Sequence, residues 1–353
     1  MCEDKPLSKN ITTLHSYHTE YNADSVEWCP HEPFQNFFVC ANYQLIESTE
    51  EAPSKRVGCI LLFSVAADCL KLHQSIHTAA VLDQKWCHNR INDRSILGVV
   101  NAEKTLEIYA FNPESTELEV VTRYTIEDDE SERLLLSLDW STGKYQSNEP
   151  EIVCSDSRGN IHRFKLENDK LAKCDSCHGH DFEAWITGFY YWNPDITFSG
   201  GDDCCFLKFD KRVGLEPISR NRIHEAGVTS MHSRSSKEYV LATGSYDANV
   251  RMWDIRFMKN CTNTIKMPGT LWRLKWDPFD NTKLLAACML GGVHITDSPD
   301  SDLQIIDSYY EHENISYGAD WSYLPVNTHG GALIATCSFY DKLLCVSKLK
   351  TDQ

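Results

Sequence analysis

The densest run of side chains able to hold a metal or move a proton is Cys174-Asp175-Ser176-Cys177-His178-Gly179-His180. A structural zinc site needs four ligands, and no second Cys/His cluster completes this one, so the run reads as a loop between structural repeats and no metal site is expected. A second constellation, His224 with Thr243 or Ser245, Asp247 and Trp253, contains the residue types of a nucleophile, a base and an orienting acid. No Gly-x-Ser-x-Gly elbow accompanies it, which excludes an α/β-hydrolase on pattern. Nor is there a Gly-x-x-x-x-Gly-Lys-Ser/Thr loop or a Gly-x-Gly-x-x-Gly turn to cradle phosphates. The other candidates for chemistry are acids, aromatics and Arg273, scattered along the chain. Only a fold that gathers distant segments can bring them together.

That fold is legible as a repeat. Val26-Glu27-Trp28, Gln84-Lys85-Trp86, Leu138-Asp139-Trp140, Leu274-Lys275-Trp276 and Ala319-Asp320-Trp321 share one pattern ending in Trp. Phe189-Tyr190-Tyr191-Trp192 is a further copy, and Val228-Thr229-Ser230-Met231-His232-Ser233 keeps the alternation without the aromatic. Each is followed by a strand rich in small residues, such as Phe38-Val39-Cys40-Ala41 or Val240-Leu241-Ala242-Thr243-Gly244-Ser245. The copies recur roughly every 43–58 residues, near the WD-repeat period, and alternation of period two dominates over helical periodicity. A four-stranded blade cannot bury both faces alone, whereas seven set radially can. The expectation is an all-β, seven-bladed WD-repeat propeller in one unit over residues 1–353, with blades beginning near 25, 80, 134, 184, 227, 270 and 315. The last repeat ends after its third strand, while Ile11–Tyr17 has no blade of its own; residues 11–17 are therefore expected to close blade seven.

Composition narrows the classes. Thirty-four basic against 51 acidic residues give a formal charge of −17, which argues against nucleic-acid binding. Met1–Pro6 shows no secretory h-region, and no apolar stretch approaches the roughly 20 residues that span a bilayer. Fifteen cysteines, several inside apolar strands (Cys40, Cys154, Cys288, Cys337, Cys345), read as reduced thiols of a cytoplasmic protein. Polar inserts at Glu47–Lys55, Glu127–Arg133 and Ser141–Pro150 read as surface loops, and a closed ring is expected to be monomeric.

In WD repeats a His, a Ser/Thr, a turn Asp and a Trp form a hydrogen-bonded set, and His224, Thr243 or Ser245, Asp247 and Trp253 fit it; Asp203 and Asp341 hold the same turn place in blades four and seven. Such sets satisfy buried polar groups, so a protease-like reading is poor. Other segments are more distinctive. They include Gly179-His180-Asp181-Phe182-Glu183-Ala184-Trp185, Ser199-Gly200-Gly201-Asp202-Asp203, His224-Glu225-Ala226-Gly227-Val228-Thr229-Ser230 and Leu241–Asp247. Leu271-Trp272-Arg273-Leu274-Lys275-Trp276, Tyr317-Gly318-Ala319-Asp320-Trp321 and Thr336-Cys337-Ser338-Phe339-Tyr340-Asp341 complete the set. Together they closely resemble the WD-repeat diphthine methyl ester hydrolases of the diphthamide pathway, densely from about Cys154 to Val346. The family's Gly-Gly-x-Trp-Arg stands here as Gly269-Thr270-Leu271-Trp272-Arg273, one glycine short.

The resemblance implies an esterase, needing no cofactor, that removes the methyl ester from methylated diphthine on elongation factor 2. Such a substrate carries a trimethylammonium, best held by aromatic faces and carboxylates. Trp185, Trp272, Tyr246, Tyr317, Phe339 and Tyr340 supply the first; Glu183, Asp202, Asp203 and Glu225 supply the second. Ester hydrolysis further needs a base and an oxyanion stabiliser. Glu183 or His180 is the candidate base for a water, and Arg273 the candidate stabiliser; a Ser199 or Ser245 nucleophile competes with the structural set. The alternative is a non-catalytic scaffold presenting a protein partner to another enzyme, the default on the propeller alone. A scaffold needs no convergent His, Glu, Asp and Arg in its channel, whereas an esterase does.

Overall fold

The computed structural model describes residues 10–49, 53–66, 69–127, 132–297 and 303–350. Met1–Pro6 and parts of two acidic inserts (50–52 and 128–131) lie outside them. The alternating segments form seven four-stranded antiparallel sheets. Their innermost strands are Asn22–Trp28, Val81–Trp86, Leu135–Trp140, Ile186–Phe189, Val228–Ser233, Arg273–Trp276 and Ser316–Trp321. Each touches the next around the ring and the seventh touches the first, so the channel they line is closed. The one helical element among the described residues is the 3-10 turn Val326–Thr328.

The ring is necessary because the apolar faces meet between blades rather than within them. Val39, Ile60 and Leu62 of blade one, for example, pack against Trp86, Leu97 and Tyr109 of blade two. Val153 and Ile161 of blade three meet Phe189 and Leu207 of blade four in the same way. The repeat tryptophans Trp28, Trp86, Trp140, Trp276 and Trp321 are all buried. Four of them also stitch blade to blade. Trp86 Nε1–H donates to the Glu27 carbonyl at 3.2 Å and Trp140 to Lys85 at 2.9 Å. Trp276 donates to His232 at 3.2 Å and Trp321 to Lys275 at 3.0 Å. A buried indole N–H left unpaired would cost about 1–3 kcal/mol, a cost these four avoid across the blade seams, while the Trp28 N–H is buried without an acceptor.

The expected closure is present. Ile11–His18 pairs antiparallel with Leu343–Leu349, from Ile11 opposite Leu349 to His18 opposite Leu343, and supplies the fourth strand of blade seven. Tyr17 of that strand packs edge-on to Phe63 of blade one at 5.0 Å, and the Thr13 hydroxyl lies 2.8 Å from that of Tyr309 in blade six. The closing strand therefore touches both neighbours of its own blade.

Candidate functional site at the mouth of the channel

Seven residues at or near the start of the inner strands stand four positions before the repeat tryptophan or its counterpart. In blade order these are Asp24, Leu82, Leu136, Trp185, Thr229, Trp272 and Tyr317. All but Thr229 line one pocket of about 240 Å³ at the channel mouth, with Tyr43 added from the strand Phe37–Ile46 and Glu183, Tyr246 and Phe339 from the loops above. Aromatic rings make most of one wall. Trp272 stacks on Tyr317 at 4.6 Å and 18°, and on Tyr246 at 6.1 Å and 22°. Trp185 meets Trp272 edge-on at 5.7 Å, and Phe339 continues the wall from Tyr317 at 5.0 Å. Burial raises the Tyr246 and Tyr317 phenols, with Asp202 acting on the first and Asp24 on the second, so both rings stay neutral.

Asp24 is the one acid of this ring. It is 4 % exposed, and its Oδ2 has no hydrogen-bond partner. Burial lifts its carboxyl well above the usual range; Arg273 pulls it down and Asp83 pushes it further up. Trp272 Nε1 is likewise buried without an acceptor. The pocket thus holds an orphan acceptor and an orphan donor on its own lining.

Below the mouth, polarity is spent on holding the ring together. Arg273 reaches across the channel to Asp83 at 3.0 Å. Asp83 Oδ2 in turn accepts the Leu138 backbone N–H at 3.2 Å. One layer deeper, Lys85 pairs with Asp139 at 3.2 Å, and Lys275 pairs with Glu27 and, at 3.7 Å, with Asp320. Asp139 accepts the Phe189 N–H and Asp320 the Trp28 N–H, both at 2.8 Å. Carboxylates from one blade therefore cap the open inner edge of the next. The convergent charges that would mark an esterase channel are, at this depth, seals.

Of the predicted residues, the structure brings Glu183, Trp185, Tyr246, Trp272 and Tyr317 together at the pocket. Asp202 stands behind them and accepts the Trp185 indole N–H at 2.9 Å. Tyr340 is 62 % exposed and packs edge-on to Phe339 outside the pocket. Glu225 is exposed, with its backbone N–H donated to Asp247 at 3.0 Å. Arg273 is committed to Asp83 under the floor.

His180 and Asp203 are elsewhere, inside blade four. His180 is fully buried; its Nδ1 donates to Asp203 Oδ1 at 2.8 Å and its Nε2 lies 2.6 Å from Ser199 Oγ. Burial would raise the Asp203 carboxyl, yet His180 and the Cys205 and Asp181 N–H groups hold it below the usual range. The distances would suit a catalytic triad, but Ser199 is also fully buried, so no substrate carbonyl can reach it. The arrangement recurs in blade five, where Thr243 Oγ1 lies 3.1 Å from His224 Nε2 and accepts the Trp253 indole N–H at 2.8 Å. Ser245 instead donates to the Ala226 carbonyl at 3.0 Å. In blade seven His312 Nε2 lies 2.8 Å from Thr336 Oγ1. A motif repeated in three blades belongs to the fold rather than to one reaction.

The run expected as a loop is strand instead as far as His178, in the outermost strand of blade three, Lys170–His178, because it pairs along Asn160–Glu167; Cys174 is exposed on it and Cys177 packs partly against the neighbouring core. His180 is already held by Ser199 and Asp203, so this run does not converge. Among the described residues no group of three His, Cys, Asp or Glu is placed to hold a metal ion, and every cysteine is a free thiol. No described helix is long and apolar enough to cross a membrane.

Sequence reasoning passed over Asp24 and Tyr43, which lie in the thinly resembling first blade. The signal for Asp24 was present: it stands before Trp28 at the same offset as Trp272 before Trp276.

A closed WD-repeat ring with an aromatic pocket at one channel mouth is the class of protein this structure defines. A chain in the crystal structure of the mitotic checkpoint complex superposes with a TM-score of 0.72 over 99% of this chain and 96% of its own, at 15% identity, so that likeness concerns the fold alone. No family model matches. Curated relatives are more specific. The mouse diphthine methyltransferase is 35% identical over 337 residues, 89% of this chain and 70% of its own length. The human one is 34% identical over 88% and 75%, and the Dictyostelium discoideum homolog 35% over 93% and 96%. The chain belongs to the diphthine methyltransferase family.

Proposed function

We propose that this protein removes the methyl ester from methylated diphthine on elongation factor 2, a hydrolytic step of diphthamide biosynthesis. The names of its relatives speak of methyl transfer; the sequence resemblance implies ester hydrolysis, and the pocket is suited to an ester beside a fixed cation. The observation that carries the reading is the mouth itself, an aromatic wall of Trp272, Tyr317 and Tyr246 with carboxyls Asp24 and Glu183 on the same pocket. A trimethylammonium gains from aromatic faces and from a desolvated carboxylate, and cannot shed its charge by losing a proton.

In this reading Glu183, half-buried at the rim, takes the proton of a water that attacks the ester carbonyl. Methoxide then leaves with that proton as methanol, and the carboxylate product remains on the histidine side chain. Arg273, held by Asp83 beneath the floor, contributes positive potential rather than a direct contact. His180 and Asp203 position blade four, from which Glu183 and Trp185 extend.

The test is methanol release and intact mass of methyl-esterified elongation factor 2. Wild type should remove about 14 Da from the modified histidine, and folded Glu183→Gln should not. No mass change with folded wild-type protein returns the chain to the scaffold reading.

A further inference from the structure

Two buried polar atoms at the mouth are left without partners while nearly every charged group below them is paired. These are Asp24 Oδ2, an acceptor, and Trp272 Nε1, a donor. Both residues line the same pocket, and by blade order Tyr317 alone separates them on the ring. The channel acids Asp83, Asp139 and Asp320 each accept a backbone N–H from the next blade and each meet a cation. Asp24 accepts no such bond through Oδ2. It costs desolvation and seals nothing. A carboxyl so placed against aromatic rings has the surroundings of a counter-ion for a bulky, weakly hydrated cation.

Resting on the reading above, we propose that Asp24 is the ionic partner of the substrate's quaternary nitrogen and that Trp272 Nε1–H binds the adjoining ester carbonyl oxygen. The ligand class is then an α-trimethylammonio ester, whether carried on a protein or free. The pocket reads two features at once: fixed positive charge through Asp24 and the stacked rings, and a carbonyl through the indole. Developing negative charge on that oxygen during hydrolysis would strengthen the indole hydrogen bond, as it does for oxyanion donors generally. The raised carboxyl of Asp24 adds a consequence, because a cation seated beside it favours ionisation and so expels a proton. The charged and titratable groups facing Asp24 are Arg273 and Asp83 below, with Glu183, Tyr43, Tyr246 and Tyr317 around the pocket.

The experiment uses three small probes on the full chain at pH 7: tetramethylammonium, betaine methyl ester, and methyl 3,3-dimethylbutanoate. The last replaces the quaternary nitrogen by carbon in the same shape. Wild type should bind the cationic ester about tenfold or more tightly than its neutral isostere. Asp24→Asn should abolish that preference, and titration calorimetry in two buffers over a pH series should show a window of proton release with wild type that the variant lacks. Trp272→Phe keeps a ring and loses the N–H, so it should weaken betaine methyl ester relative to tetramethylammonium. A folded Asp24→Asn that keeps the charge preference overturns the assignment, as does a wild type with none; a Trp272→Phe that weakens both cations equally overturns the indole's role. Failure of the function is separable. Asp24-dependent charge preference without methanol release from elongation factor 2 keeps the site and sinks the esterase. Demethylation by Asp24→Asn at the wild-type rate does the reverse.

Discussion

Asp203 in blade four and Asp24 at the channel mouth are both aspartates nearly excluded from water, and they stand in opposite conditions. Asp203 accepts from the His180 ring and from the Asp181 and Cys205 backbone N–H groups, and is held in its ionised form. Asp24 has an orphan oxygen and is held toward its neutral form. The first resembles an active site by residue type and distance yet is sealed; the second has no recognisable motif yet opens on the pocket. Geometry among the members of a triad is therefore a weaker guide than whether a ligand can reach them. His180, Asp203 and Ser199 satisfy one another within blade four, whereas Asp24 keeps an oxygen without a protein partner on the pocket.

Four measurements separate the groups that hold the fold from those that face the pocket. The largest effect falls on chemistry. Glu183→Gln should lower methanol release by about 100-fold or more with an unchanged melting curve, since a positioned general base contributes about 10²–10⁴-fold. A smaller loss would move the base to another residue of the pocket.

Next is His180→Ala, which strands Asp203 and Ser199 in blade four. Urea denaturation should show a loss of about 3 kcal/mol, while the fraction that remains folded keeps its rate of ester hydrolysis. A folded, inactive His180→Ala would overturn the separation of fold from site.

Third is a matched pair of isosteric changes. Asp203→Asn should destabilise by about 2 kcal/mol, because a charge-assisted bond to His180 is lost. Asp24→Asn should show no such loss and should gain stability at neutral pH, because it removes a carboxyl that costs burial and returns no bond. Equal losses in the two variants would erase the contrast.

The smallest effect is in the pH dependence. Burial lowers His31, His88 and His312 to about 4, so the folded state holds them neutral. Their contribution is complete above the ordinary histidine value of 6.5 and is lost as pH falls toward 4. Asp203 and Asp247, held low, add stability that is lost only at still lower pH. Asp24 has the opposite sign, since a raised carboxyl makes the folded state less stable as pH rises through its window. The stability of Asp24→Asn relative to wild type should therefore increase as pH rises above the ordinary carboxylate range in paired urea titrations. An unchanged difference would mean that Asp24 is already solvated.

The repeat tryptophans, the strand alternation and the unpaired end of the last repeat were enough to read the architecture and the closing strand from sequence, because each is a local pattern repeated along the chain. Glu183, Trp185, Tyr246, Trp272 and Tyr317 were legible as candidates because aromatic and acidic types cluster in the segments that distinguish this chain from a generic repeat. His180 and Asp203 were legible as chemistry-bearing residues, but not as inaccessible ones. Burial is set by how blades three, four and five close around the strand, and residue type does not carry it. What the tertiary structure alone decided is which acid belongs to the pocket. Asp24, Tyr43, Trp185, Trp272 and Phe339 come from opposite ends and the middle of the chain, and they meet only because the ring closes. Closure gathers the entries of six inner strands around one pocket, whatever their distance in sequence. Satisfaction, too, is decided only there: Asp83 and Asp24 are the same residue type one blade apart, and the reach of Arg273 across the channel gives an ion-pair partner to one and leaves an oxygen of the other without a hydrogen bond.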